Sequence, residues 1–301
     1  MKKVLIGCAI VAGVFLLLSV GGGFVAYYWF KSQMPDMTQV KDARQELAQR
    51  FGRRDEYKPD LDGRLRPERI ELFVAVRESL LATRAQIALR AQGFIERASA
   101  KPPEARGVVD KFRHGIGMAR GGFGLFREGT AYVGERARLL RDAGMGDGEY
   151  TWLYGLMSFA WLEWDALREL DEDWFAAHDM EEVPEEFLGE YRRLFTRQLR
   201  NQRRALEAKT PRTAEEDRAL ERVQAALAAG KNGFPFQGAL PQEWRAVLEP
   251  YRARYTATLP HTPGEYLLES VDHLMDEDEG GFNFQFKGSR RTHRDSTTAS
   301  E

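Results

Sequence analysis

The chain opens on a long, nearly uninterrupted apolar run, Val4 to Phe30, in which Ser19 is the one clearly polar side chain. As a helix rising about 1.5 Å per residue, the run is about 40 Å long, more than the ~30 Å of a bilayer's hydrocarbon core. Lys2 and Lys3 precede it, and Tyr27, Tyr28, Trp29 and Lys31 close it, as expected of a single-pass anchor with an aromatic belt at the far headgroup layer. The positive-inside bias places the N-terminus in the cytoplasm and the chain beyond about residue 31 outside a bacterial inner membrane, in the periplasm. Two other readings use the same residues: a cleaved signal ending at Ser19-Val20-Gly21, and a lipoprotein through Leu5-Ile6-Gly7-Cys8. The run continues well past Gly21, and only four residues separate Lys3 from Cys8, so the uncleaved anchor is the expectation. Ala9-xxx-Gly13 and Ser19-xxx-Gly23 space small residues so that two anchors can pack closely, which allows a homodimer.

After the anchor, apolar positions recur at helical rather than alternating spacing. Residues 32–66 read as a polar helix over Met37–Phe51 and a charged linker carrying Gly52, Pro59 and Gly63. Residues 67–275 read as an all-helical, envelope-facing domain. Pro67 suits a first turn, and Ile70, Phe73, Val74, Leu80, Leu81, Ile87, Phe94 and Ile95 follow at helical steps until Pro102-Pro103. Phe112, Ile116, Ala119, Phe123, Phe126, Thr130, Val133, Ala137 and Leu140 form a seam in steps of four and three. Beside that seam lie Gly115, Gly122 and Gly129, a bare face that predicts close approach by a neighbouring backbone. Tyr150 to Trp164 is apolar on nearly every side, which predicts a central helix packed by Trp152, Trp161 and Trp164.

Later segments carry their own boundaries. Pro184 restarts a helix with an apolar face of Phe187, Tyr191, Leu194, Phe195, Leu199 and Leu206. Opposite runs a stripe of Arg193, Arg197, Arg200 and Arg204, which is either a solvated face or a contact for an anionic surface. Thr213-x-x-Glu216 and Thr262-x-x-Glu265 read as capping boxes, and Pro250 should break the helix between them. Helices in succession, without alternating strands, predict an all-α multi-helix bundle. Residues 276–301 differ: an acidic run, then Phe282, Phe284 and Phe286 at period two, then a polar tail expected to be disordered.

Composition narrows the function classes. Lys plus Arg (44) and Asp plus Glu (46) nearly cancel, leaving a net charge of −2 and no reason to expect nucleic acid. The sole cysteine, Cys8, lies in the apolar run, so the folded body has neither disulfides nor thiol chemistry. Of the histidines, Asp110–His114 and Glu269–His273 form acid–His pairs four residues apart, one step too long for the Glu-x-x-His of carboxylate-bridged di-iron bundles. Helix-surface pairing accounts for them, and no metal or cofactor is expected. Gly115-Ile116-Gly117 has no preceding strand and no following Lys-Ser/Thr, so it is not a phosphate loop. No nucleophile stands in a recognisable setting.

Two aromatic segments are candidates to meet partners, the alternative being that both fold back and cover the bundle's own apolar surface. Phe234 and Phe236 sit on a Gly-rich loop with the composition of a lid or docking segment, and Phe282–Phe286 has the pattern of a strand added to another protein's sheet. The function expected is that of a membrane-anchored scaffold or accessory subunit with an unidentified protein partner. The alternative is a carrier or enzyme holding an apolar ligand between the Gly-faced helix and the Trp-rich helix.

Overall fold

The computed structural model describes residues 37–99, 108–163, 183–230 and 233–262, with positions 265, 268 and 269 beyond them. Within these residues all the regular secondary structure is helical, with no strand. The expected anchor, the double-proline break, the acidic stretch after Trp164 and the Phe282–Phe286 segment lie outside the described residues. No described helix is long and apolar enough to cross a membrane.

The elements follow the pattern closely. Helix α1 (Met37–Phe51) ends where Gly52 takes φ +83° and its N–H donates to the Ala48 carbonyl, a left-handed cap that glycine adopts without strain. Helix α2 (Pro67–Ser99) starts at its proline, and α3 (Val108–Asp142) runs beside it. At the end of α3 the Met145 N–H reaches the Leu140 carbonyl and the Gly144 N–H reaches that of Arg141. This is a Schellman cap, and both Met145 and Leu140 are buried in the core. It turns the chain straight into α4 (Asp147–Gly155), whose last turn widens into a π-helical stretch, Leu156–Trp161. Every residue from Tyr150 to Trp161 is buried, so this is the central helix.

Helix α5 (Val183–Ala208) packs on α4 and on α6 (Ala214–Ala229). The Thr213–Glu216 capping box is present in both directions. Pro250 divides the next helix into α7 (Gln242–Leu248), a 3₁₀ turn (Glu249–Tyr251) and α8 (Arg252–Thr256). At Thr262 half of the expected box forms. The Glu265 N–H donates to the Thr262 hydroxyl, while the Glu265 carboxylate accepts from the His261 N–H.

The aromatic part of the core centres on α4. Trp152 stacks on Phe195 with ring centroids 4.1 Å apart, and Phe234 lies 4.9 Å from Phe195 and 5.1 Å from Phe159. A Cβ on Gly155 would stand 2.8 Å from the Phe195 ring, so glycine is what admits that ring. The linker is held as firmly as the helices. Gln198 donates to the carbonyls of Arg54 and Gly148, Asn201 to those of Asp55 and Tyr57, and Gln202 to that of Asp60. One face of α5 thus supplies hydrogen bonds to a segment with no helical ladder of its own.

Candidate functional site

The bundle's most unusual chemistry lies on the buried face of α2. Ile70, Phe73, Leu80 and Ile87 form an inward seam, and Arg77 and Arg84 occupy seam positions between them. Both arginines are almost wholly enclosed, at 1% and 2% exposure. A buried guanidinium cannot shed its proton and is tolerated only when paired and hydrogen-bonded.

Arg77 meets that demand fully. Its Nε donates to Thr258 Oγ1 (2.9 Å), Nη1 to Tyr150 Oη (3.1 Å) and Glu269 Oε1 (2.7 Å), and Nη2 to the Thr258 carbonyl (2.8 Å). Its guanidinium carbon also stands 4.8 Å from the centroid of the Tyr154 ring. Burial is the largest single influence and penalises the Arg77 charge, but Glu269 and the surrounding tyrosines together outweigh it and hold the guanidinium firmly protonated. Burial likewise pushes the Glu269 carboxyl up, while Arg77 and then Arg84 pull it further down, below the ordinary carboxylate range.

Arg84 is paired less completely. Nη1 donates to the same Thr258 carbonyl at 2.5 Å, whereas Nε and Nη2 have no hydrogen-bond partner among the described residues. Tyr132, Tyr150, Tyr154 and Tyr255 line the cluster. Burial raises the hydroxyls of Tyr132, Tyr154 and Tyr255, so they stay neutral near pH 7. Tyr255 also meets Ser158 of the π-helical stretch, oxygen to oxygen, at 2.5 Å.

A second ion-pair centre lies where α1, α3 and α4 converge. Asp147 accepts from Arg54 Nε (2.6 Å) and Arg136 Nη2 (2.9 Å). Burial raises its carboxyl, but Arg54, Arg136 and Arg44 together drive it far below the usual range. Beside it a cavity of about 10 Å³, lined by Arg44, Leu47, Arg136 and Asp147 among others, has room for about one water.

The predicted site residues are distributed differently. Lys2, Lys3, Tyr27, Tyr28, Trp29, Lys31, Phe282, Phe284 and Phe286 lie outside the described residues. Phe234 and Phe236 are buried, at 5% and 4% exposure, so the loop folds back on the bundle rather than holding these rings out to solvent. Phe234 plugs the α4–α5 aromatic cluster, and Phe236 packs on Trp244 at 5.0 Å. Covering the bundle's own apolar surface lowers the free energy more than leaving two rings in water.

Arg193, Arg197, Arg200 and Arg204 are exposed along α5. Arg193 pairs with Glu190, Arg197 with Asp55, and Arg204 donates to Asn201. Of the three α3 glycines expected to admit a neighbouring backbone, Gly129 is buried, while Gly115 and Gly122 lie among residues whose side-chain surroundings are outside the description. The side chains of residues 108–123 fall outside the description. One tight approach among the described residues is at α4, where a Cβ on Gly148 would stand 2.5 Å from Tyr57 Cβ and 3.0 Å from the Arg54 carbonyl oxygen. Glu269, expected to pair with His273 on a helix surface, is the buried partner of Arg77. No cluster of three or more His, Cys, Asp or Glu suited to a metal occurs among the described residues.

No family model, curated protein or solved structure matches this chain.

Proposed function

We propose that the chain is a single-pass protein of the bacterial inner membrane whose helical body faces the periplasm and works by contact, as a scaffold or accessory subunit. The observation that carries this reading is the apolar run from Val4 to Phe30, with basic residues before it and an aromatic group at its far end. A helical body whose aromatic segment 234–236 turns inward supports a role outside lipid. Contact is assigned to the exposed arginine face of α5 and to the Phe282–Phe286 segment. Arg193, Arg197, Arg200 and Arg204 present positive charge to an anionic surface, with Glu190 and Asp55 offsetting part of it.

The test combines topology with crosslinking. In spheroplasts, added protease should digest the body while the N-terminal segment stays with the membrane. Crosslinks from the body to a defined envelope partner should weaken on deletion of residues 280–301 or on reversal of the four arginines to Glu. A mature chain starting beyond residue 21, or a body protected from protease, overturns the topology. A partner retained by both variants overturns the assigned surfaces. Lipid extraction that recovers a stoichiometric acyl ligand from the purified protein overturns the contact role in favour of a carrier.

A further inference from the structure

Among the described residues, the buried charges around Arg84 do not balance. Arg77 and Arg84 share the influence of one carboxylate, Glu269, and Arg77 takes its hydrogen bond. Burial keeps Tyr132, Tyr154 and Tyr255 neutral at pH 7, so they supply no negative charge. Asp147 already serves Arg54 and Arg136. One buried positive charge therefore has no carboxylate of its own among the described residues.

The geometry of the unused donors is specific. Nη1 of Arg84 is spent on the Thr258 carbonyl, which leaves Nε and Nη2 together. These two nitrogens form the side-on edge of the guanidinium, where two parallel N–H bonds match the two oxygens of a carboxylate. Leaving that edge bare inside the protein costs the full desolvation of a charged donor pair. A monoanion with two coplanar oxygens restores both the charge and the hydrogen bonds.

We infer that the buried Nε/Nη2 edge of Arg84, whose Nη1 is held by the Thr258 carbonyl, is a binding site for a carboxylate. Burial at 2% exposure restricts the occupant to a compact free carboxylate or to an Asp or Glu side chain supplied by protein. The two sources share one chemistry and differ in their response to added ligand. This assignment stands apart from the topology proposed above, since the cluster lies wholly within the helical body.

The experiment uses the full-length chain in detergent, labelled at arginine Nε with ¹⁵N, and sodium formate as the probe against sodium chloride at equal ionic strength. If the carboxylate is free, formate moves the Arg84 Hε resonance downfield in a saturable way and raises Tm, and chloride does neither. If protein supplies it, Hε is already displaced and exchange-protected without formate and does not respond to it. Arg84→Lys keeps the charge but lacks the fork, so it should lose the formate-dependent Tm rise. Should that variant fail to fold, the wild-type titration still decides. An Hε resonance at the position of a free guanidinium that formate leaves unmoved overturns the proposal, as does an equal formate response in wild type and Arg84→Lys.

Discussion

The core has two ends of opposite character, and both are buried. Around α4 and α5, Trp152, Phe159, Phe195 and Phe234 meet ring to ring at 4.1–5.1 Å. On the inner face of α2, Arg77, Arg84 and Glu269 sit among tyrosines and hold one another by hydrogen bonds and charge. The aromatic end gains from dispersion and from removing apolar surface from water, both non-directional and shared over many contacts. The polar end gains little net energy per bond, yet each member left alone is expensive. Packing of the first kind degrades gradually under mutation, whereas the second kind fails through whichever partner is stranded.

That contrast is open to direct tests by urea denaturation of the full-length chain. Glu269→Gln strands Arg77 and Arg84 together and should cost about 3–5 kcal/mol. Adding Arg77→Met to that variant should recover part of the loss, because it removes one of the stranded charges; further loss would break the comparison. Phe195→Ala should cost a similar ~3–5 kcal/mol by opening a cavity, and Phe195→Leu should restore most of it without any compensating change. Gly148→Ala should cost about 1–3 kcal/mol, since the added methyl meets Tyr57 and the Arg54 carbonyl, neither of which is the end of a flexible chain.

Acid should act on the ion-pair centres and leave the aromatic end, which has no titrating group, without a direct effect. The folded Asp147 and Glu269 carboxyls titrate below their unfolded values, near 3.9 and 4.3. Their contribution is therefore complete above about pH 5 and is lost as pH falls through the folded values. Circular dichroism melts between pH 7 and 2 should show Tm falling at the acid end, with a shallower slope in Asp147→Asn. An unchanged slope would remove Asp147 from this account. Thr213→Ala, which touches neither end, should cost about 1 kcal/mol through its lost cap.

The aromatic end was largely legible in the sequence, and the polar end was not. Apolar spacing marked Tyr191, Phe195 and Leu199 as an inward face, and the all-round apolar character of Tyr150–Trp161 marked the central helix. Arg77 and Arg84 were passed over because charged side chains usually face water. Their signal was nonetheless present: they fill the gaps in a seam that otherwise steps by three and four through Ile70, Phe73, Leu80 and Ile87. An arginine inside an apolar seam marks a buried pair. What the pattern does not contain is the partner, because Thr258 and Glu269 lie 181 and 192 residues from Arg77 along the chain.

Local chemistry alone determined the helical class, the boundaries at Gly52, Pro67, Gly144, Thr213 and Pro250, and the inward faces, because these depend on backbone freedom and on spacing within a few turns. Tertiary structure alone decided which glycines admit a neighbour, that Phe234 and Phe236 turn inward, and which carboxylate answers each buried arginine. Those outcomes depend on groups far apart in the chain competing for the same small volume, and residue spacing holds no record of that competition.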